Sequence, residues 1–206
     1  MLLAIDTSAG TSVAVVDRDR GILAQAEEAD TRRHAEVIGT LIKRVLAESG
    51  VAPRELSGVV AGMGPGPFTG LRVGIAAARA FAFGIGKPVV PLISHDALAL
   101  DATEALLVVT DARRREVAWS TYGPSDELGL PVRVAGPALA SPERLEATVD
   151  GHAGYLRLDA ASIPAGRLGM LGERLFAAGR AFGPREPLYL RPPDVTPSAG
   201  PKRVTV

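Results

Sequence analysis

The chain has 206 residues, 47% apolar and 22% charged, with 23 Gly and 16 Pro, which is the composition of a globular protein of one domain or two small lobes. Basic and acidic residues both number 23, so the formal net charge is zero and no whole-molecule field draws the chain to nucleic acid or to an acidic membrane. The absence of Cys excludes disulfides, thiolate nucleophiles, iron-sulfur clusters and Cys-based zinc sites.

The N-terminal apolar run Leu2 to Ile5 meets Asp6 with no basic region before it, unlike a signal peptide. No unbroken apolar stretch is long enough for a membrane span, so the expectation is a cytoplasmic protein without membrane contact. After a small-polar linker, Thr7 to Thr11, the apolar pattern resumes at Ser12 to Asp17, and a charged turn leads to a third alternating run at Ile22 to Ala29. Three such runs in series predict an antiparallel meander. From Arg33 to Glu48, Val37, Ile38, Leu41, Ile42, Val45 and Leu46 fall at helical spacing, with Gly50 and Pro53 as stop signals. Their arc is wider than the stripe a helix needs to rest on its own core, which leaves room for a second surface.

Val59 to Ala61 reads as a buried strand running into the loop Gly62 to Gly70, followed by a helix from Leu71 to Phe83. Strand, glycine loop and helix in that order mark a parallel α/β unit. Val89 to Ile93 is the next strand, and Ser94 to Ala102 a short helix with Ser94 as N-cap. The second half opens likewise, with a strand at Leu106 to Val109 ending in Thr110-Asp111, the basic turn Arg113 to Arg115, and a return strand at Val117 to Tyr122. Beyond it lie a third strand at Val132 to Ala135, a helix start at Ser141-Pro142, a weak strand at Tyr155 to Leu158 and a helix at Leu168 to Ala178. Pro184 to Val206 is proline-rich and reads as a tail. The expected organisation is a first lobe at 1–103, a reduced second lobe at 104–184 and a tail at 185–206.

The glycine loop matches neither common phosphate motif: the third glycine of a dinucleotide fingerprint would be Thr69, and no Gly-Lys-Ser/Thr follows. A constrained strand-to-helix turn outweighs phosphate binding there. His34, His95 and His152 are too dispersed for a metal site, and His34 reads first as a surface cap. Asp6, Asp17 and Asp111 end strands, where carboxylates can hold hydrated magnesium, although turn acids are common. Along the second helix Gly70, Gly74, Ala78, Ala82 and Gly86 recur every four residues, and only Arg72 and Arg79 interrupt an otherwise apolar circumference. Mid-helix glycines cost about 1 kcal/mol each, which a close helix-helix contact can offset. Packing inside the chain's own fold explains the pattern equally well.

Leu2-Leu3-Ala4-Ile5-Asp6-Thr7-Ser8, Gly64-Pro65-Gly66-Pro67-Phe68-Thr69-Gly70-Leu71-Arg72-Val73-Gly74 and Pro187-Leu188-Tyr189-Leu190-Arg191-Pro192-Pro193-Asp194 together resemble the bacterial TsaB (YeaZ) family. The likeness is strong up to about residue 100 and thin from 123 to 184. It implies an α/β, actin/Hsp70-like (ASKHA, ribonuclease H-like) two-lobed fold. It also implies a part in making threonylcarbamoyladenosine in tRNA, as a dimerising, non-catalytic scaffold for a TsaD-type transferase. A TsaE-type ATPase and tRNA would be met only through the complex, the chain alone would be a homodimer, and ATP and a metal would belong to the partner complex. The partner-binding candidates are Val37, Ile38, Leu41, Val45, Gly70, Arg72, Gly74 and Ala78. Asp6, Thr7 and Asp111 stand as a nucleotide-binding remnant, and no catalytic or metal-binding residue is expected. A nucleotide cleft in this fold lies between lobes and needs acids and glycine loops from both, so a reduced second lobe disfavours the alternative of an actin-like ATPase or phosphotransferase. A glycoprotease-like metallopeptidase fails on histidine spacing, since four positions after His34 stands Ile38.

Overall fold

A computed structural model describes residues 1–30 and 33–191. The opening meander forms as the alternation requires: β1 (Leu2–Asp6), β2 (Thr11–Asp17) and β3 (Gly21–Glu28) pair antiparallel, with Leu3 opposite Val15 and Val13 opposite Ala26. β4 (Gly58–Gly62) and β5 (Val89–Leu92) then add in parallel beside β1, giving the order β3-β2-β1-β4-β5. In the second half β6 (Leu106–Asp111), β7 (Val117–Gly123) and β8 (Val132–Ala140) repeat the meander. β9 (Leu156–Ala160) takes the place that β4 holds in the first sheet, in the order β8-β7-β6-β9 with β9 parallel to β6. The second sheet stops where the first gains β5, so the fold is the two-lobed ribonuclease H-like architecture of the actin/Hsp70 type with a reduced second lobe.

Helices α1 (His34–Ser49) and α2 (Phe68–Gly84) lie on one face of the first sheet. Their inward residues Ile38, Leu41, Val45, Leu71, Ile75 and Ala78 close over Leu3, Ile5, Val13 and Val15. At about 1.5–3 kcal/mol for each large apolar side chain buried, this face is needed for the lobe's own stability. The expected partner-binding set is corrected here: Ile38, Leu41, Val45, Gly70, Gly74 and Ala78 are core positions, and only half-buried Val37 and exposed Arg72 reach solvent.

The other face of the first sheet is covered by α4 (Ala165–Ala177), whose Leu168 and Leu171 pack on Ala4, Val16, Val60 and Leu92. A helix expected to belong to the second lobe thus lies on the first. The second lobe keeps a small core of Leu107, Val109, Trp119, Leu145 and Val149, roofed by the short α3 (Leu145–Thr148). Ser94–Ala99 is a 3-10 helix rather than an α-helix, and Ser94 does not cap it. The C-terminal segment packs along the first lobe: the amide of Gly183 bonds the Pro91 carbonyl and that of Leu188 bonds the Met63 carbonyl. Pro192, Pro193 and Asp194 of the third motif lie outside the described residues.

Candidate functional site

The end of β1 is a polar knot. Asp6 is 1% exposed, and its two oxygens are taken by three donors: Oδ1 accepts from the Ser8 amide at 2.8 Å and the Ser8 hydroxyl at 2.5 Å, and Oδ2 accepts from the Ser94 hydroxyl at 2.5 Å. Burial raises the Asp6 pKa above the usual carboxylate value, and the serine hydrogen bonds only partly oppose it. Gly62 is obligatory beside it, because a Cβ there would overlap Asp6 Oδ2 and come within 2.8 Å of the Ser94 hydroxyl. Asp6 is therefore a structural tie between β1, β4 and the Ser94 turn.

Thr7 explains the glycine period of α2. Its hydroxyl donates to the Gly70 carbonyl at 2.7 Å and accepts from the Gly74 amide at 3.0 Å, which places it between two groups that a regular helix would pair with each other. A Cβ at Gly70 would stand 2.8 Å from the Thr7 carbonyl oxygen, and one at Gly74 would be 3.0 Å from Thr7 Cγ2 and nearer still to Oγ1. The stripe of small residues admits the strand-end loop of β1, and the helix-helix reading of Gly70 and Gly74 is corrected to that contact.

Asp111 is not brought into this knot. It is exposed at the end of β6, where its Oδ1 accepts the Arg113 amide at 2.9 Å and its Oδ2 pairs with the Arg113 guanidinium at 3.3 Å. The basic turn has an uncommon backbone: Arg113, Arg114 and Arg115 all have positive φ, at 64°, 56° and 60°. Three successive left-handed non-glycine residues are strained and persist only where neighbours hold them. Arg191 does so from the C-terminal segment, bonding the carbonyls of Ala112 at 3.2 Å and Arg113 at 3.1 Å and pairing with Glu116. Two residues earlier, the Tyr189 ring lies 4.8 Å from that of Phe68 and its hydroxyl accepts from Arg72 Nε at 3.1 Å, while the Arg72 guanidinium sits 4.1 Å above the Phe68 ring. The YLR stretch thereby ties α2 of the first lobe to the hairpin of the second.

Between these elements runs a groove of two cavities. The larger, about 430 Å³, is walled by Gly66 to Thr69 on one side and by Ala112 to Arg114 on the other, under Tyr189 to Arg191. The smaller, about 220 Å³, is lined by Ser8, His34, Thr69, Gly70 and Arg113. His34 is 7% exposed rather than a surface cap; its Nδ1 is bonded to the Thr11 hydroxyl at 2.7 Å, and burial with the charge of Arg113 lowers its pKa against a smaller opposing effect of Asp30. His95 is wholly buried at the joint between lobes, with Nδ1 bonded to Ser120 and Nε2 to Thr110 at 2.8 and 2.9 Å, and burial depresses its pKa to about 3. Sequence reasoning passed over His95 because nothing in its neighbours marks a buried joint. Among the described residues no group of three His, Asp or Glu is placed to hold a metal ion, and no helix is long and apolar enough to cross a membrane.

Residues 21–162 match the family model of TsaD, tRNA N6-adenosine threonylcarbamoyltransferase. An uncharacterised protein of Mycobacterium tuberculosis is 37% identical over 211 residues, covering 96% of this chain and 95% of that protein. The Haemophilus influenzae tRNA threonylcarbamoyladenosine biosynthesis protein TsaB is 38% identical over 125 residues; the match takes in 58% of this chain and spans about half, 52%, of that relative. Among solved structures, YeaZ from Pseudomonas aeruginosa superposes with a TM-score of 0.74 at 29% identity, covering 92% of this chain and 99% of that one.

Proposed function

This chain belongs to the TsaB (YeaZ) family, and from that premise we propose that it is a non-catalytic assembly subunit for threonylcarbamoyladenosine modification of tRNA. In this reading it dimerises when alone and supports a TsaD-type transferase when that partner is present. A TsaE-type ATPase, tRNA, ATP and any metal then engage the complex rather than this chain.

The observation that carries the reading is the outer face of α2. Phe68, Ala76, Ala80 and Phe83 are exposed and Val73, Ala77 and Phe81 half-buried, with Arg72 and Arg79 the charged residues among them. Phe83 is 90% exposed. A helix of this composition in water gains by pairing with another helix, since alanines let backbones approach and the phenylalanines supply area. Burying about 400 Å² of apolar surface on each partner corresponds to roughly 10 kcal/mol per side before association costs, enough for a stable pair.

The ATPase or phosphotransferase alternative asks Asp6 to serve a magnesium-nucleotide, and the serine bonds to both its oxygens argue against that use. An Ala76→Glu, Ala80→Glu double variant changes only exposed positions. We expect it to fold as the parent does, to run as a monomer by light scattering, and to fail to support threonylcarbamoyl transfer to tRNA in a reaction reconstituted with a TsaD-type partner. A folded variant that still dimerises and supports transfer would defeat the proposal.

A further inference from the structure

The two sheets do not end alike. In the first, β4 is flanked by β5; in the second, β9 holds the place of β4, and among the described residues no strand pairs with its outer edge. The Leu156 amide bonds the Ala105 carbonyl at 2.8 Å, so Leu156, Leu158 and Ala160 direct their peptide groups toward β6. By the same alternation Arg157 and Asp159 direct theirs outward, each with an amide and a carbonyl at the open edge. The other edge strands are blunted. β5 carries Pro91, whose carbonyl takes the Gly183 amide; β8 carries Pro137 and breaks register with β7; β3 breaks register with β2. β9 has neither a proline nor a break in register. Its faces are also distinct. Leu158 packs against Ala99, Leu106, Val108 and Tyr122, and Leu156, two residues earlier on the same face, is 58% exposed. Arg157 and Asp159 lie exposed on the opposite face, with guanidinium and carboxylate 2.7 Å apart.

We propose that the outer edge of β9 pairs with β9 of a second copy of this chain, antiparallel about a two-fold axis through Leu158, so that the two second-lobe sheets become one. The sequence of the strand itself selects this occupant. About that axis Arg157 stands opposite the copy's Asp159 and Asp159 opposite its Arg157, while Leu158 meets Leu158 and Leu156 meets Ala160. The residues opposed as charges are the two whose peptide groups point outward, so the register that pairs the charges also pairs the free amides and carbonyls. A shift of one residue would set outward peptide groups against inward ones, and a parallel pairing would bring like charges side by side. The pairing also covers Leu156. With only five residues on each side the contact is small, so association through it is weak and grows with concentration. The edge belongs to the second lobe and uses no residue of α2, so it stands apart from the assembly role of the α2 outer face.

The test is amide hydrogen exchange with sedimentation velocity on the full chain over a concentration series. Exchange at the Arg157 and Asp159 amides should slow as concentration rises, while the sedimentation coefficient increases. Those two amides report this edge whatever other contact the chain makes. Arg157→Asp sets a like charge against the copy's Asp159, and Asp159→Arg does the same against its Arg157. Both positions are exposed, and each change should weaken the association by about tenfold or more. Mixed in equal amounts the two variants are complementary, and the mixture should regain the parent's protection, a result that misfolding cannot give. Single variants that associate as the parent does, a mixture that stays apart, or protection that ignores concentration would overturn the assignment. Protection that appears only with an added TsaD-type partner would overturn it too, by giving the edge to that partner. The Ala76→Glu, Ala80→Glu variant leaves β9 untouched, so loss of pairing through α2 with protection retained at Arg157 and Asp159 separates the two proposals.

Discussion

Replacing Gly74 by Ala isolates the contact between the β1 end and α2. The new methyl would stand 3.0 Å from Thr7 Cγ2 and 3.1 Å from Thr7 Cβ, with the hydroxyl nearer than either. Thr7 is 1% exposed, so it has no solvent to retreat into. If it turns away it gives up the bonds to the Gly70 carbonyl and the Gly74 amide, leaving a buried hydroxyl unpaired at about 1–3 kcal/mol. Overpacking adds about 1–3 kcal/mol, and the better helix propensity of Ala returns about 1. The net is a loss on the order of 3 kcal/mol, or roughly 6–12 °C in Tm for a chain of this size. Thr7→Ala removes the obstructing atoms and lets the Gly70 carbonyl and Gly74 amide pair with each other as in a regular helix. Gly74→Ala made in that background should be close to neutral, so the two changes should be non-additive by about 2 kcal/mol or more in thermal or urea unfolding. If Gly74→Ala is as stable as the parent, or if the two effects simply add, Thr7 does not set the glycine period. A stable Gly74→Ala that cannot dimerise would restore the partner-contact reading.

Acid should destabilise the protein through His95. Its folded pKa of about 3 lies below the 6.5 of the free side chain, so the unfolded chain takes up a proton that the native state refuses, and stability falls as pH drops below 6.5. By pH 5 the loss from this group approaches about 2 kcal/mol, with no contribution above neutrality; a His95 ring that titrates near 6.5 in the folded protein would contradict the buried joint. Calorimetry of the chain alone should show no low-micromolar magnesium-ATP binding, and a binding isotherm in that range abolished by Asp6→Ala would reinstate the enzyme reading. Leu41→Glu should unfold the first lobe rather than yield a folded monomer, because Leu41 is 7% exposed within the core; a native circular dichroism spectrum with an unchanged Tm would refute this.

The architecture was legible where a period has a single structural meaning. Short apolar runs at Leu2 to Ile5 and Ser12 to Asp17 and the alternation at Ile22 to Ala29 became β1, β2 and β3 within a residue or two, and the Leu106 opening of the second sheet was found from its apolar run in the same way. The helical run after Arg33 became α1. The constrained turn at Gly62 to Gly70 was also readable, since its glycines admit Asp6 and Ser8 at close range. What failed was direction. A helical period shows that Ile38, Leu41 and Val45 share a stripe, but a helix lying on a sheet and facing a partner presents two such stripes, and the period does not say which is inward. On α1 the wide apolar arc is accounted for by Ile38, Leu41 and Val45 in the core and by half-buried Val37, Ile42 and Leu46 packed against it.

The small-residue stripe of α2 shows why composition could not choose between an internal and an external contact. Gly70 and Gly74 were read as a surface for another helix because the usual visitor to such a groove is a backbone. The visitor is the β1 end of the same chain: Thr7, more than sixty positions earlier, brings its carbonyl oxygen to Gly70 and its side chain to Gly74. With the glycine side committed inward, the alanines at 76 and 80 are turned to solvent by the same geometry, since positions two apart on a helix point to nearly opposite sides. One helix thus carries two small-residue faces, one turned inward and one to solvent. The inward one fixes Thr7 and holds the strand-end loop closed around Asp6. The outward one has no neighbour among the described residues, which is why the proposed partner contact is assigned to Ala76 and Ala80 and not to the glycines.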